Sequence, residues 1–378
     1  MNIPFNKPFL TGKEIYYMQQ ASQNGHLSGN GAFTEKCQNF FEKRFNFKKC
    51  FLTTSCTDAL EMAALLINIK LGDEVIVPAY TFVSTALAFA RQGAIIRFVN
   101  SRTDHPGLDE DHIEKLINKN TKAIVPVHYA GIACDMDKIM TLANKYGVFV
   151  IEDAAYGIGS YYKEKPLGSI GHFGCFSFHE TKIIHCGEGG MISINDESFI
   201  KRAEIIWEKG TNRADFKKGI VNKYEWIDTG SSFLMSEINA AFLYAQLVDF
   251  DNILQRRKMQ WELYYQSLTE LQNKGFLKIP EVPTYSEINH SIFYIITRNL
   301  KERSLLLDNL NKAGIMAVTH YLDLSASPYI QCKYPKLKHF TPNCQKYQNT
   351  LIRLPLYHDL SLDQIIEITD IVKRFYYN

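Results

Sequence analysis

The sequence predicts an α/β protein built on a largely parallel sheet with helices on both faces. Two observations carry this prediction. Between about residues 46 and 200, short β-branched runs alternate with stretches of helical periodicity, and the runs are nearly continuously apolar. Strands of that kind are typical of parallel sheets buried on both sides. The predicted strands span residues 50–53, 75–80, 95–99, 123–129, 149–154, 175–179 and 191–195.

Helices are predicted between these strands, at residues 57–69, 81–92, 109–118 and 135–146. In the first of them, apolar residues recur at the spacing of a buried helix face, at Ala59, Met62, Ala63 and Leu66. After about residue 235 the pattern turns helical, with a long helix predicted over 236–271 and shorter elements at 292–297, 304–313, 316–320 and 362–375. We therefore assign residues 1–250 to a large domain and residues 251–378 to a smaller α+β C-terminal domain.

The bulk composition argues against several classes of protein. The 378 residues include 42 Lys+Arg and 40 Asp+Glu, a net charge of +2 without runs of like charge, so neither nucleic acid nor a membrane is expected as a partner. The N-terminus lacks an apolar signal core, and no apolar run approaches the ~20 residues of a membrane helix. The eight cysteines show no paired CxxC spacing. We expect a cytoplasmic protein with reduced thiols and no metal site.

An acid and a lysine stand at two of the predicted strand ends. Asp153 closes the apolar run 148–153, and Lys182 follows 29 residues later, just after the strand at 175–179. Because ligands collect at the carboxyl ends of parallel strands, we expect the two side chains to meet at one edge of the sheet. A lysine that forms a Schiff base and a carboxylate that keeps a pyridine nitrogen protonated are what pyridoxal 5′-phosphate (PLP) requires. Taken singly, each residue also has an ordinary explanation, as a strand end or a surface lysine.

Three further motifs fit a PLP site at the same edge. Backbone N–H groups at the start of a helix form an anion site, which is available at Ser55, Cys56 and Thr57, although helix capping is the commoner role of such residues. Phe82 follows the strand at 75–80, where its ring could cover the cofactor or belong to the core. The glycine-rich run 187–190 permits a tight backbone just after the lysine.

As an ordered set, the motifs resemble the DegT/DnrJ/EryC1 family of PLP-dependent nucleotide-sugar aminotransferases over essentially the whole chain. The motifs are SCT, GDEVIVPAYTF, PVHYAG, EDAA, FSFHETK, GEGG, KGTNR, MSEINAA and LPLY. The resemblance implies an aspartate-aminotransferase-type fold (PLP fold type I), with a PLP-binding large domain and a mostly parallel sheet. It also implies a homodimer with the active site between subunits.

The resemblance implies roles for individual residues. Lys182 matches the Schiff-base lysine, and Asp153 matches the partner of the pyridine nitrogen. The other implied cofactor contacts are Cys56, Thr57 and Ser177 at the phosphate and Phe82 stacked on the ring. Ser55 is kept as a cofactor contact because it belongs to the anion site at the start of the helix.

Three positions depart from the common family pattern, and one of them is Ile183, which follows the lysine where relatives often carry Asn. Tyr156 stands where many relatives carry a Gln or His that bonds the phenolic oxygen of PLP, and it is kept as a cofactor contact. Ser232 stands where Asn often reaches the phosphate across the dimer interface, and it is kept as well. His320 and Tyr321, a pair that the family also carries, are the candidate substrate contacts.

The reaction that the resemblance implies is transfer of an amino group from glutamate to a nucleotide-linked keto-deoxysugar. The expected acceptor is dTDP-4-dehydro-6-deoxyglucose, aminated at C4 to dTDP-4-amino-4,6-dideoxygalactose, and amination at C3 of dTDP-3-dehydro-6-deoxyhexose is the alternative. A sugar 3-dehydratase on the same fold is disfavoured because such relatives carry histidine at the position of Lys182. The alternative of another class is a non-catalytic regulatory member of the fold.

Overall fold

The structure, a computed structural model, describes residues 2–337 and 339–377. The strands are β1 (Lys49–Thr53), β2 (Glu74–Pro78), β3 (Ile95–Val99), β4 (Thr121–Ile124), β5 (Phe149–Asp153), β6 (Tyr161–Tyr162), β7 (Lys165–Pro166), β8 (Phe173–Ser177), β9 (Gly190–Ile194), β10 (Ser286–Glu287), β11 (Tyr294–Ile296) and β12 (Leu351–Arg353). The helices are α1 (Glu14–Gln23), α2 (Ala32–Phe45), α3 (Cys56–Leu66), α4 (Ser84–Ala90), α5 (Met136–Tyr146), α6 (Ile200–Trp207), α7 (Arg213–Lys217), α8 (Glu237–Val248), α9 (Phe250–Asn273), α10 (Leu300–Lys312), α11 (Pro328–Lys333), α12 (Pro342–Thr350) and α13 (Leu362–Tyr377).

A seven-stranded sheet forms the centre of the molecule, in the order β1-β9-β8-β5-β4-β2-β3. Strand β9 runs antiparallel to both of its neighbours, and the other six strands run in one direction. Every residue of β2, β8 and β9 is buried, as continuous apolar strands covered on both faces require. The mostly parallel α/β fold predicted from the sequence is thereby confirmed. Strands β5 and β8 are adjacent, so their carboxyl ends lie side by side.

The C-terminal part builds a second core on strands β11 and β12, which pair antiparallel. Side chains alternate across β11: Phe293 and Ile295 face a core formed with α9, α10 and α13, whereas Tyr294 and Ile296 join the core of the large sheet. The predicted division at residue 250 falls at the first residue of α9 and stays a prediction.

Three predicted elements differ in the structure. The helix predicted at 109–118 is a pair of 3₁₀ turns, because the buried carboxylate of Glu110 is held inward by Arg102 and by the backbone N–H of Asp135. The strand predicted at 123–129 ends at Ile124, two residues before Pro126, which has no N–H to donate to a ladder. The long helix predicted at 236–271 is two helices, α8 and α9, separated at Asp249.

The N-terminal segment, residues 3–9, is tied to both parts of the molecule. Backbone hydrogen bonds join Ile3 to Gly314 (2.8 Å) and to Met316 (2.9 Å), and Ile3 is fully buried in the C-terminal core. Further C-terminal contacts are an ion pair between Lys7 and Asp359 and the stacking of Phe9 on His358. On the other side, the segment touches the loop between β8 and β9 through Asn6 Nδ2 to the Glu180 carbonyl and His185 Nε2 to the Phe9 carbonyl.

The buried carboxylate of Glu152 in β5 fixes the loop that leads into β8. Its Oε1 accepts hydrogen bonds from the backbone N–H groups of Ile170 (2.7 Å) and Gly171 (2.6 Å). Its Oε2 accepts from the N–H of Gly168 (2.8 Å) and from Nε2 of His128 (2.9 Å). Both Glu152 and His128 are 0% exposed, so these bonds have no competition from water. Among the described residues, no helix combines the length and apolar character needed to span a membrane.

We expect Glu152→Ala to destabilise the protein by about 3 kcal/mol or more, because it leaves several buried N–H donors without an acceptor, at roughly 1–3 kcal/mol each. The measurement is the urea midpoint followed by circular dichroism. Glu114→Ala is the matched control, since Glu114 lies at the surface and pairs with Lys145. Equal midpoints for Glu152→Ala and wild type would contradict the role given to this carboxylate.

Candidate active site

A cavity of about 570 Å³ opens at the carboxyl ends of β5 and β8. The predicted site residues that line it are Ser55, Cys56, Thr57, Phe82, Asp153, Tyr156, Ser177, Lys182, His320 and Tyr321. Ser232 does not line this cavity. It is exposed, and its backbone pairs with that of Glu208 in an isolated antiparallel β-bridge. Its predicted role was toward the neighbouring subunit, so that role stays a prediction.

Asp153, the last residue of β5, presents its carboxylate to the cavity. It is 5% exposed, its Oδ2 accepts a hydrogen bond from Thr85 Oγ1 (2.7 Å), and its Oδ1 accepts from the N–H of Ala155 (3.2 Å). Burial raises the pKa of Asp153, and the two hydrogen bonds and the charge of Lys182 oppose that rise. A cationic group bound beside Asp153 would therefore form an ion pair with its carboxylate.

Lys182 lies on a tight loop between β8 and β9. Backbone hydrogen bonds close the base of the loop, from Phe178 to the Gly189 carbonyl (2.8 Å) and from Cys186 to the Phe178 carbonyl (2.9 Å). Gly187 turns the chain with a φ of 79°, which glycine adopts at little cost. The resulting turn places Lys182 Nζ 3.2 Å from the ring centroid of Tyr156, over the face of the ring.

The start of α3 forms an anion cradle on the cavity wall. Ser55 caps the helix by accepting from the N–H of Asp58 (3.1 Å), so the first amides, those of Cys56 and Thr57, have no acceptor within the helix. Any side chain at Gly190 would collide with the backbone of Ser55 and Cys56, which explains glycine at this position. Burial raises the pKa of the Cys56 thiol well above its ordinary value, so the thiol is neutral and does not repel an anion.

Aromatic side chains close the end of the cavity formed by the C-terminal part. The rings of His320 and Tyr321 stack at 3.6 Å. His320 Nε2 accepts a hydrogen bond from Arg353 Nη1 (3.1 Å), because a guanidinium can only donate, and Nδ1 then donates to Tyr129 Oη (2.7 Å). Burial and the charges of Arg353 and Lys182 lower the pKa of His320 well below its ordinary value, which agrees with a neutral ring.

These residues fit PLP by their chemistry. The cavity brings together an amine, a buried carboxylate, the free amides at the start of α3, and aromatic rings for a planar group to lie against. Within residues 2–337 and 339–377, no cluster of three or more His, Cys, Asp or Glu side chains is placed to hold a metal ion.

Several residues of the site were not predicted from the sequence. Thr85 binds Asp153 and contacts Thr81 (2.9 Å), and Thr57 Oγ1 donates to Ser84 Oγ (2.7 Å). In the helix predicted at 81–92, the spacing of Thr81 and Thr85 by four residues is a signal that places the two hydroxyls on the same face, although the observed α4 begins only at Ser84. Arg353 has no such signal, because it reaches the site only through the fold of the C-terminal part.

Residues 9–373 match the sequence profile of the DegT/DnrJ/EryC1/StrS aminotransferase family. GDP-perosamine synthase of Escherichia coli is 32% identical over 375 residues, which cover 99% of this chain and 98% of the relative. The spore coat polysaccharide biosynthesis protein SpsC of Bacillus subtilis is 30% identical, over 98% of this chain and 97% of the relative.

Solved structures of similar sequence share the whole architecture. A protein of Streptococcus pneumoniae described as a sugar aminotransferase, solved in its PMP form, superposes with a TM-score of 0.91 at 26% identity, covering 100% of this chain and 99% of that one. The same protein in its PLP form gives a TM-score of 0.88 at 25% identity. Profile, relatives and fold agree over nearly the full length, and the chain therefore belongs to the DegT/DnrJ/EryC1/StrS aminotransferase family.

Proposed function

We propose that this protein is a PLP-dependent aminotransferase that moves the amino group of glutamate onto the keto carbon of a nucleotide-linked deoxysugar. The observation that carries the proposal is the meeting, in one cavity, of the Lys182 amine, the buried carboxylate of Asp153 and the anion cradle of α3. PLP needs all three groups. Membership of an aminotransferase family supports the proposal, as do the PLP and PMP forms of the Streptococcus pneumoniae protein.

The residues divide the chemistry between them. PLP, when bound, supplies an electron sink for the exchange of an amino group. Lys182 Nζ is the group placed to take and return the proton on the α-carbon of glutamate. Asp153 would hold the ring nitrogen protonated, because an adjacent carboxylate favours the charged form. The amides of Cys56 and Thr57 would hold the phosphate.

For the acceptor we propose dTDP-4-dehydro-6-deoxyglucose, aminated at C4 to dTDP-4-amino-4,6-dideoxygalactose. The stretches CTDALEMAALL and YTFVSTALAF support this choice by their likeness to that branch of the family, and they form α3 and the entry to α4 on the cavity wall. Amination at C3 of dTDP-3-dehydro-6-deoxyhexose is the alternative. The Escherichia coli relative is named for a GDP-linked sugar rather than a dTDP-linked one. The test below therefore includes acceptors with both nucleotides. A cytoplasmic location stays a prediction.

We also propose a homodimer. Large apolar side chains crowd the surface of the 213–227 segment, and their exposed fractions are Trp226 81%, Ile220 66%, Tyr224 52%, Ile227 50% and Phe216 43%. Such a concentration of exposed apolar surface favours burial against another protein surface. Ser232, with its predicted role across the subunit boundary, follows this segment closely in the chain.

The test of the proposed function follows the product. The enzyme is incubated with PLP, glutamate and each of three acceptors: the 4-keto and 3-keto dTDP sugars and a GDP-linked 4-keto sugar. NMR then assigns the carbon that carries the new amine. We expect an amine at C4 of the dTDP sugar. Conversion of the cofactor by glutamate without amination of any acceptor would contradict the proposed sugar substrates, and no conversion at all would favour the non-catalytic alternative.

Lys182→Ala should lose turnover by more than about 100-fold, since it removes the proton-transfer group of the site. The variant should keep the circular dichroism spectrum and the mass of the wild type in solution. The matched control is Lys163→Ala, because Lys163 is an exposed lysine paired with Asp137 away from the cavity. Wild-type rates in Lys182→Ala would overturn the assignment of this lysine.

The dimer prediction is tested by light scattering on the eluate of a sizing column. Wild type should show twice the chain mass of 43.4 kDa. Trp226→Glu combined with Ile220→Glu should shift the protein toward the monomer, because two charges would have to be buried in the interface. Leu71→Glu, at another apolar residue that is 92% exposed, is the control and should leave the mass unchanged. A wild-type monomer would contradict the proposal.

A further inference from the structure

The turn that follows β5 carries Tyr156 into the cavity. Tyr156 is 9% exposed, and the amine of Lys182 lies 3.2 Å from its ring centroid, over the face of the ring. The position of the ring relative to this amine depends on how the backbone of the turn is held. Two backbone carbonyls of the turn, those of Tyr156 and Ile158, accept hydrogen bonds from one side chain that lies outside the cavity.

That side chain belongs to Asn289, which comes from the C-terminal part and is 2% exposed. Its Nδ2 donates to the carbonyl of Tyr156 (2.7 Å) and to the carbonyl of Ile158 (2.7 Å), so both of its N–H groups are used. Its Oδ1 accepts from the N–H of Ser291 (3.1 Å). Because a carbonyl can only accept and a backbone N–H can only donate, these partners fix the orientation of the amide.

The backbone around Asn289 is fixed as well. Its N–H donates to Ser160 Oγ (2.9 Å), and just before it in the chain β10 pairs antiparallel with β6. His290, the next residue, has a φ of 60°, a conformation that is uncommon outside glycine. A side chain at Gly131 would collide with Asn289 Oδ1, so the loop after β4 approaches the amide closely. Asn289 thus joins that loop, the turn after β5 and the C-terminal part at one buried point.

We propose that Asn289 is a positioning residue for the cofactor site and that it acts through Tyr156. By holding the carbonyls of Tyr156 and Ile158, it keeps the Tyr156 ring beside the Lys182 amine, where the ring is predicted to contact PLP. An asparagine suits this task because one amide group supplies donors to two carbonyls that converge in a nearly water-free place. The inference rests on the proposed function, because it assigns a role in binding the cofactor of that reaction.

The first experiment measures the dissociation constant of PLP for the full chain by absorbance titration. Asn289→Ala should raise this constant by about tenfold or more, because two buried carbonyls lose their donors and the turn is no longer held. The matched control is Gln260→Ala. Gln260 is 0% exposed, and its Nε2 donates to three carbonyls away from the cavity, those of Tyr357, His358 and Leu360.

The control should lower the urea midpoint as Asn289→Ala does, but it should change the dissociation constant of PLP by less than about threefold. Equal dissociation constants for Asn289→Ala and wild type would overturn the inference. An equal rise in Gln260→Ala and Asn289→Ala would also overturn it, because the effect would then be a general loss of stability.

A double-mutant cycle tests whether Asn289 acts through Tyr156. Tyr156→Ala removes the ring that Asn289 is proposed to hold. Adding Asn289→Ala to this variant should therefore change the dissociation constant of PLP by less than about threefold, since the two residues would act as a unit. Full additivity of the two substitutions would overturn the proposed route through Tyr156.

Asn289→Asp provides a second variant if the alanine variant does not fold. An aspartate has the same shape, and even when protonated it donates one hydrogen bond where the amide donates two, so it should weaken PLP binding by about threefold or more. Wild-type binding by Asn289→Asp would overturn the inference. PLP binding needs neither glutamate nor a sugar. Failure of the wild type to bind PLP would contradict the proposed function and this inference with it, whereas equal binding by wild type and both Asn289 variants would contradict this inference alone.

Discussion

The geometry of the site depends on the hydrogen bonds that the buried carboxylate of Glu152 accepts from the backbone of the loop 168–171. Successive side chains of a strand point to opposite faces, so Glu152 and Asp153 look in opposite directions. One holds the loop 168–171 and thereby the start of β8, and the other faces the cavity. A carboxylate that receives several backbone N–H bonds in a water-free interior has little freedom to move. Glu152, on the face of β5 that points away from the cavity, therefore fixes the position of Asp153 relative to β8. The Lys182 loop follows β8, so its position relative to Asp153 is fixed as well.

On the cavity side, the charged groups are unevenly matched with partners of opposite charge. Asp153 is buried with no cation in direct contact among the described residues, whereas Tyr156 has two cations near it. A cofactor with a protonated ring nitrogen and an anionic phosphate would match the carboxylate at one end of the cavity and the free amides of α3 at the other. The site therefore offers a negative group and a set of amide donors within one cavity.

The sequence predicts the sheet well and the side-chain network poorly, for a physical reason. Continuous apolar runs define buried strands almost by themselves, and the strand 95–99 lies at the bounds that its residues indicate. The prediction of a helix at 109–118 is wrong because the local backbone conformation depends on the contacts of Glu110 with Arg102 and Asp135. Hydrophobic periodicity does not encode such contacts. In the site, Lys182 and the run at 55–57 have local signatures, but the bond from Thr85 to Asp153 joins residues 68 apart and depends on the packing of α4.

The N-terminal segment has a consequence for how the chain is made. Its partners in the C-terminal core, among them Gly314, Met316 and Asp359, are synthesised long after the segment itself. During translation the large sheet can assemble first, as N-terminal units generally do, while residues 3–9 wait for their binding surface. A chain that stops before residue 314 would lack the backbone partners of Ile3, so the segment that touches the Lys182 loop would be held at only one of its ends. Chaperones and proteases would then meet unfinished products whose N-terminal segment is still loose on that side.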